Sequence, residues 1–184
     1  MDAIDRIVNK LERLRTLRPG EPMYELRPPL APDEVAAFER EQRVALPDDY
    51  REFLVRVANG GNFPPYLMAL TAVRSTGFDE ELRDGERMSD PAEPFPFVEE
   101  WVPPAPDAQP DLPPGANPHD GCVHVRDRGC ADLIVLVVTG EARGQVWEDL
   151  TPYDQRIGPV APSFSAWYEA ELDEALRWAA PSVT

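Results

Sequence analysis

Residues 133–139 read LIVLVVT, a continuous apolar run rich in β-branched side chains. Such a run is typical of a β-strand buried on both faces, because a half-exposed strand alternates apolar and polar residues. Turn-forming sequences flank it, with Asp127-Arg128-Gly129 before the run and residues 140–144 after it. Shorter strands are predicted beyond these turns, at 122–126 and 145–149. The three segments predict an antiparallel meander with the apolar run at its centre.

The remaining elements are helices on either side of this strand region. Apolar side chains recur every three or four positions in residues 3–17, which is the spacing of one buried helix face. Asp2 and Ser163 each precede a helical segment, as capping residues do. The predicted helices cover residues 3–17, 32–43, 48–58 and 163–179, and a short strand is predicted over 66–73. This order predicts an α+β fold, a mainly antiparallel sheet on which N-terminal helices and a C-terminal helix pack.

Acidic residues and prolines are concentrated in one internal stretch. The 184 residues carry 34 acidic and 18 basic side chains, a formal charge of −16, and 12 of the acids but only two of the bases lie in residues 75–122. Ten prolines fall between Pro91 and Pro118. Since proline lacks a backbone N–H group, residues 103–120 are predicted to form an extended surface loop, preceded by a polar segment at 79–90.

The length of the chain fits a single domain over residues 1–184. Within it, residues 1–30 are expected to supply an N-terminal helix and a linker, and residues 79–120 an acidic, proline-rich insertion or loop. No apolar run is long enough to cross a membrane. The first ten residues, MDAIDRIVNK, lack the apolar core of a signal peptide, so we expect a cytoplasmic protein. The negative charge disfavours direct binding of nucleic acid, which needs a basic face.

Catalytic and metal-binding patterns are weak. His119, Cys122, His124 and Cys130 lie close together in the sequence, but their spacing does not match the paired ligands of structural zinc sites. A cysteine–histidine nucleophile would also need a third, orienting group, and none stands out. Neither a serine-hydrolase motif nor a glycine-rich phosphate loop is present. We therefore predict no catalytic residue, no cofactor and no metal ligand, and we interpret the cysteines as small core or turn residues.

Candidates for contact with a protein partner come from the acidic stretch and from the end of the last predicted strand. The acidic candidates would supply a negative field, and the tryptophans and the strand-end aspartate would supply a binding hot spot. These candidates are Glu80, Glu81, Asp84, Glu86, Trp101, Trp147 and Asp149. The opposing interpretation is that the acidic run is only solvated and that Trp147 belongs to the core.

Short motifs in both halves of the chain carry a resemblance to a known family. In the first half they are Phe38-Glu39, Leu46-Pro47, Asp49-Tyr50, Phe53-Leu54 and Asn59-Gly60. In the second half they are Gly129-Cys130, Val137 to Gly140, Arg143-Gly144, Val146-Trp147, Asp149, Ser163-Phe164 and Trp167-Tyr168. In order and spacing, the motifs resemble bacterial members of the SUKH superfamily, the Smi/Knr-like proteins named for a yeast cell-wall assembly regulator. The resemblance covers about 31–73 and 121–178.

The resemblance implies an α+β fold and a binding role rather than catalysis. Many bacterial SUKH proteins resemble immunity proteins that neutralise polymorphic toxins, often nucleases. An acidic protein could occupy the basic cleft of such a toxin domain and exclude its substrate. We therefore expect a non-enzymatic module whose partner is a protein, a basic toxin domain being one candidate.

Three other functions stay open at this point. A regulatory or scaffolding adaptor would use the proline-rich acidic segment as a docking arm, and deleting residues 79–120 would then leave the folded core intact. A hydrolase would use the cluster at residues 119–130. A nucleic-acid mimic would act through its charge alone.

Overall fold

The apolar run forms the second strand of a four-stranded antiparallel sheet. The computed structural model describes residues 2–20, 25–62, 66–70, 89–105, 108–129, 132–153 and 155–179. Its strands are β1 (Cys122–Asp127), β2 (Leu133–Val137), β3 (Val146–Asp149) and β4 (Ile157–Ala161), and they follow one another in this order across the sheet. The three predicted strands are present, with ends within one or two residues of the prediction for β1 and β3.

Two strand predictions were incomplete or wrong. Strand β4 was missed because Gly158 and Pro159 lower the strand propensity of its sequence. Proline is tolerated there because β4 is the last of the four strands and the outer bridge to Trp101 involves Ile157, not Pro159. The strand predicted over 66–73 is not formed in its described part, 66–70, where Leu67 makes an isolated bridge to Gly61.

Within the described ranges, four α-helices complete the α+β fold predicted from the sequence. They are α1 (Ala3–Leu17), α2 (Pro32–Gln42), α3 (Asp48–Arg56) and α4 (Phe164–Ala179). Both predicted caps are confirmed, since the Asp5 N–H group donates to Asp2 Oδ1 at 2.7 Å and the Ala166 N–H group donates to Ser163 Oγ at 3.1 Å. A short 3-10 helix, Thr151–Tyr153, links β3 to β4.

Helical residues share one apolar cluster with the first face of the sheet. Phe53 of α3 packs against Phe164 and Tyr168 of α4, with ring centroids 4.9 and 5.2 Å apart. These rings belong to one buried cluster with the sheet residues Val123, Val125, Ile134, Leu136 and Val146. Helix α1 contributes four buried residues, Ile4, Ile7, Leu11 and Leu14, to the same cluster.

The second face of the sheet is covered by the proline-rich segment. We call the described residues 89–105 and 108–120 the cover. Phe95 and Phe97 place their rings 4.9 and 6.3 Å from that of Trp147 on β3. The same cluster contains Leu133, Val135 and Val137 of β2, and Trp101 and Leu112 of the cover pack against it. In the described part of 103–120 there is neither helix nor strand, so the cover is an irregular layer.

Backbone hydrogen bonds attach the cover to the sheet at both ends. At one end, the Phe95 N–H group donates to Thr139 O and the Gly121 N–H group donates to Asp90 O, both at 3.0 Å. At the other end, Trp101 and Ile157 exchange two backbone hydrogen bonds of 2.9 and 3.0 Å. The division of the chain into one domain with an insertion at 79–120 stays a prediction, because residues 71–88 lie outside the described part.

The cover approaches the sheet closely at Gly121, so a substitution at this residue tests the approach. Its φ is +69°, and a Cβ atom there would lie 2.4 Å from Phe95 N and 2.7 Å from Thr139 O. Gly144 is a matched control, with φ +94° and nothing within 4 Å of a Cβ atom. We expect Gly144→Ala to lower the free energy of unfolding by about 1 kcal/mol through backbone strain alone. Gly121→Ala is expected to lower the free energy of unfolding by about 2 kcal/mol more than Gly144→Ala does, because the cover must shift to make room for the Cβ atom.

Urea unfolding followed by tryptophan fluorescence measures both values, because Trp147 lies beneath the cover. Equal losses in the two variants would show that the cover does not depend on this close approach.

Candidate partner-binding surface

The outer side of the cover is strongly acidic. Residues 88–125 contain seven acidic side chains and neither lysine nor arginine. Glu93, Glu99, Glu100 and Asp111 are exposed, whereas Asp120 is buried. Buried Asp120 holds the cover in shape, since its carboxylate accepts hydrogen bonds from the backbone N–H groups of Asp90 (2.9 Å) and Asn117 (2.8 Å). The exposed carboxylates therefore lie on a backbone that is held in place by the buried Asp120.

Apolar side chains lie among these carboxylates. Val98 and Val102 are 63% and 57% exposed, and Trp101 between them is partly buried. Single exposed apolar residues are common on protein surfaces, but two next to a partly exposed tryptophan resemble the apolar centre of a protein interface. The stretch 98–102 thus combines apolar contact area with acidic side chains.

A chain of ion pairs runs from this stretch to the first face of the sheet. Arg156 contacts Glu100 of the cover at 3.1 Å and Glu148 of β3 at 3.0 Å. Glu148 also contacts Arg128, which pairs with Asp132 at 2.7 Å. Partly exposed pairs of this kind add little to stability. They do fix the position of the Glu100 side chain next to β4.

The contact residues predicted from the sequence differ in their exposure to solvent. Trp147 is fully buried at 0% exposure, so its side chain is not on the surface as the hot-spot hypothesis assumed, and the opposing core interpretation describes its position. Asp149 is also buried. Trp101 is the one of the three that keeps exposed surface. The acidic candidates Glu80, Glu81, Asp84 and Glu86 lie outside the described residues, and contact with a partner stays a prediction for all seven.

Sequence reasoning missed Val98, Glu99 and Val102. Two signals could have found them. One is the unbroken absence of lysine and arginine between Arg87 and Arg126. The other is the presence of aromatic residues within a proline-rich acidic run, which indicates a segment that packs on a core instead of remaining solvated.

A polar cluster lies on the second face of the sheet, beside the buried Trp147. His119 Nε2 is 2.7 Å from Asp149 Oδ2, and the other carboxylate oxygen accepts hydrogen bonds from the backbone N–H and hydroxyl groups of Thr151. Burial alone would raise the pKa of Asp149. The hydrogen bonds from His119 and Thr151 outweigh that effect, so this pKa lies below its usual value. Asp149 is therefore a buried, ionised group that joins β3 to the end of the cover.

Cys122 is buried on the same face, and His124 beside it is partly buried, with its Nδ1 atom out of contact with solvent. Burial raises the pKa of the Cys122 thiol well above its usual value, and the negative charges of Asp120 and Asp149 add to this effect. A buried thiol that stays protonated has the character of a structural cysteine rather than of a nucleophile. Cys130 lies outside the described residues. Within the ranges that the structure describes, no group of three or more potential ligand side chains is arranged to hold a metal ion.

The comparison with known families agrees with this architecture. The sequence model of the SMI1/KNR4 family (SUKH-1) matches residues 29–170, well over half of the chain. The chain belongs to the SMI1/KNR4 (SUKH-1) family. The resemblance identified in the sequence is thereby confirmed, and the matched range includes the cover. No curated protein matches the chain.

The SUKH family includes immunity-type proteins and is in general a non-catalytic family that binds protein partners. As for membranes, none of the helices in the described ranges of this SUKH-1 protein is both long enough and apolar enough to span a bilayer.

The partly buried His124 makes stability depend on pH. Burial, helped by the nearby His119, lowers the pKa of His124 to about 3 against the opposing effect of Asp149. In the unfolded chain, a histidine takes up a proton below about pH 6.5. The folded state is therefore fully stable with respect to this group above that pH and loses stability as the pH falls towards about 3.

We expect His124→Gln to make this loss shallower, by up to about 1.4 kcal/mol per pH unit for a single proton. Unfolding in urea at a series of pH values measures the slope. Near-ultraviolet circular dichroism serves as the control for a native core. If the free energy of unfolding fell equally with pH in the wild type and in His124→Gln, His124 would not be the source of the pH dependence.

Proposed function

We propose that this SUKH-1 protein is an immunity protein that binds a basic toxin domain through the exposed acidic side of the cover. The observation that carries the proposal is the cover itself, which has exposed carboxylates at Glu93, Glu99, Glu100 and Asp111 and no cationic side chain between residues 88 and 125. Family membership supports a role in protein binding.

Electrostatics would act mainly on the rate of association. A toxin that acts on nucleic acid needs a positively charged cleft to hold its substrate. Carboxylates on a rigid surface attract such a cleft over roughly a Debye length, about 10 Å at moderate salt. Once the surfaces meet, Val98, Trp101 and Val102 supply apolar area that keeps the complex together. The complex then covers the cleft and excludes the substrate.

The adaptor hypothesis requires a correction. It treated residues 79–120 as a docking arm whose removal would leave the core intact. In the structure, Phe95, Phe97 and Leu112 pack against the second face of the sheet, so removal of the cover would expose Trp147 and Val135 to water. The described part of this segment is thus a structural layer, and a deletion variant would report on folding as well as on binding.

Charge reversal on the cover tests the proposed function. We expect Glu93→Lys with Glu99→Lys to slow association with the cognate toxin domain, to be sought among the products of the adjacent genes, by about tenfold at low salt. The matched control is Glu12→Lys with Glu141→Lys, which changes the net charge equally at exposed positions outside the cover. Surface plasmon resonance at a series of salt concentrations measures both rates. Equal rates for the two double variants would refute a role for the cover, and a neighbouring toxin domain that does not bind the wild type would refute the proposed function.

A further inference from the structure

The cover presents an open backbone edge beside strand β4. Trp101 uses both its N–H and its C=O group to pair with Ile157. Backbone groups of successive residues in an extended segment point to opposite sides, so those of Glu100 and Val102 point away from β4. Among the described residues, none donates to or accepts from the backbone groups of Glu100 or Val102. Residues 100–102 therefore run along β4 as a short extended segment joined to it through Trp101, and no described residue pairs with the outer edge of this segment.

The sequence beyond this edge limits its length. Pro103 and Pro104 follow Val102 directly and cannot donate backbone hydrogen bonds. Prolines and charged residues are common devices that stop an exposed strand from pairing with other molecules at random. The free edge is thus restricted to residues 100–102, which carry one exposed carboxylate, Glu100, and one exposed valine, Val102.

We propose that the outer edge of residues 100–102 accepts an extended segment of the protein partner as an added β-strand, and that this segment alternates lysine or arginine with apolar residues. Backbone hydrogen bonds to Glu100 and Val102 supply affinity, and the neighbouring side chains supply specificity. This inference rests on the proposed function, because it specifies how the same surface holds its partner.

Charge selects the occupant of the edge. A basic segment places its cations near Glu99 and Glu100, in a stretch of chain without lysine or arginine, and the nearby Arg156 is already paired with two carboxylates. The apolar residues of the segment cover Val98 and Val102. A second copy of this chain at the same edge would bring Glu99 and Glu100 against their own copies, and like charges opposite one another destabilise a strand pair.

Val102→Pro tests the backbone directly, because it removes the N–H group at the edge. Val102→Ala is the matched control, since it removes most of the side chain and keeps the donor. The probe is the peptide acetyl-Lys-Val-Arg-Val-Lys-amide at millimolar concentration, compared with the same peptide carrying N-methylated backbone amides and with a version in which glutamate replaces each basic residue. NMR amide chemical shifts and amide hydrogen exchange measure binding.

We expect the basic peptide to shift the amide signals of Glu100 and Val102 and to slow the hydrogen exchange of these amides. The N-methylated and acidic peptides are expected to have at least tenfold weaker effects. Val102→Ala should keep a measurable shift at Glu100, and Val102→Pro should lose it. Equal binding of the methylated peptide, equal shifts in the two variants, or no shift with the basic peptide would each overturn the proposal.

The toxin domain separates this proposal from the proposed function. If the toxin domain binds wild type and Val102→Pro equally but loses affinity for the double charge reversal, the surface is correct and the added strand is wrong. Self-association of the wild type that Val102→Pro abolishes would identify a second copy as the occupant and would also overturn the proposal. Light scattering measures that association.

Discussion

Burial of β2 on both faces is the constraint on which the rest of the structure depends. Leu133–Val137 is buried at every position, so each face of the sheet needs its own apolar layer. Helices supply one layer, and the proline-rich cover supplies the other. Burying a valine or leucine side chain contributes roughly 1.5–3 kcal/mol, so an uncovered second face would lose much of the stability of an ordinary domain. The acidic, proline-rich segment thus contributes Phe95 and Phe97 to the core.

The cover packs on the sheet with one side and is exposed to solvent on the other. Phe95 and Phe97 face the sheet, whereas Glu93 and Glu99 face solvent. Prolines suit this arrangement, because they limit the backbone freedom that would be lost on ordering and prevent regular pairing along most of the segment. Charges held on such a support need little further ordering when a partner arrives, so less of the binding energy is lost.

Elements of this fold can be predicted from the sequence where their residues form a local pattern. The apolar run of β2 and the caps at Asp2 and Ser163 could be predicted because each follows from local chemistry. Strand β4 could not, because its glycine and proline are tolerated only at the edge of a sheet, and neighbours in space are not visible in a linear pattern.

Only the part of the candidate site that follows from local sequence could be predicted. Its acidic character follows from composition alone. The burial of Trp147 depends on Phe95 and Phe97, which lie some fifty residues earlier in the chain and reach the sheet through the fold. Exposure of a tryptophan at the end of a strand is therefore a property of tertiary structure.

The pairing of α1 with α4 has a consequence for biosynthesis. Arg6 and Lys10 contact Glu169, more than 150 residues later, and Ile7 and Leu14 are buried in the same cluster as Leu172. Helix α1 can pack on α3 early in synthesis, but the part of its apolar stripe that packs on α4 stays uncovered until α4 has been translated. Contacts between such distant segments slow folding, and the nascent chain is a natural client for chaperones that shield apolar helices in the meantime.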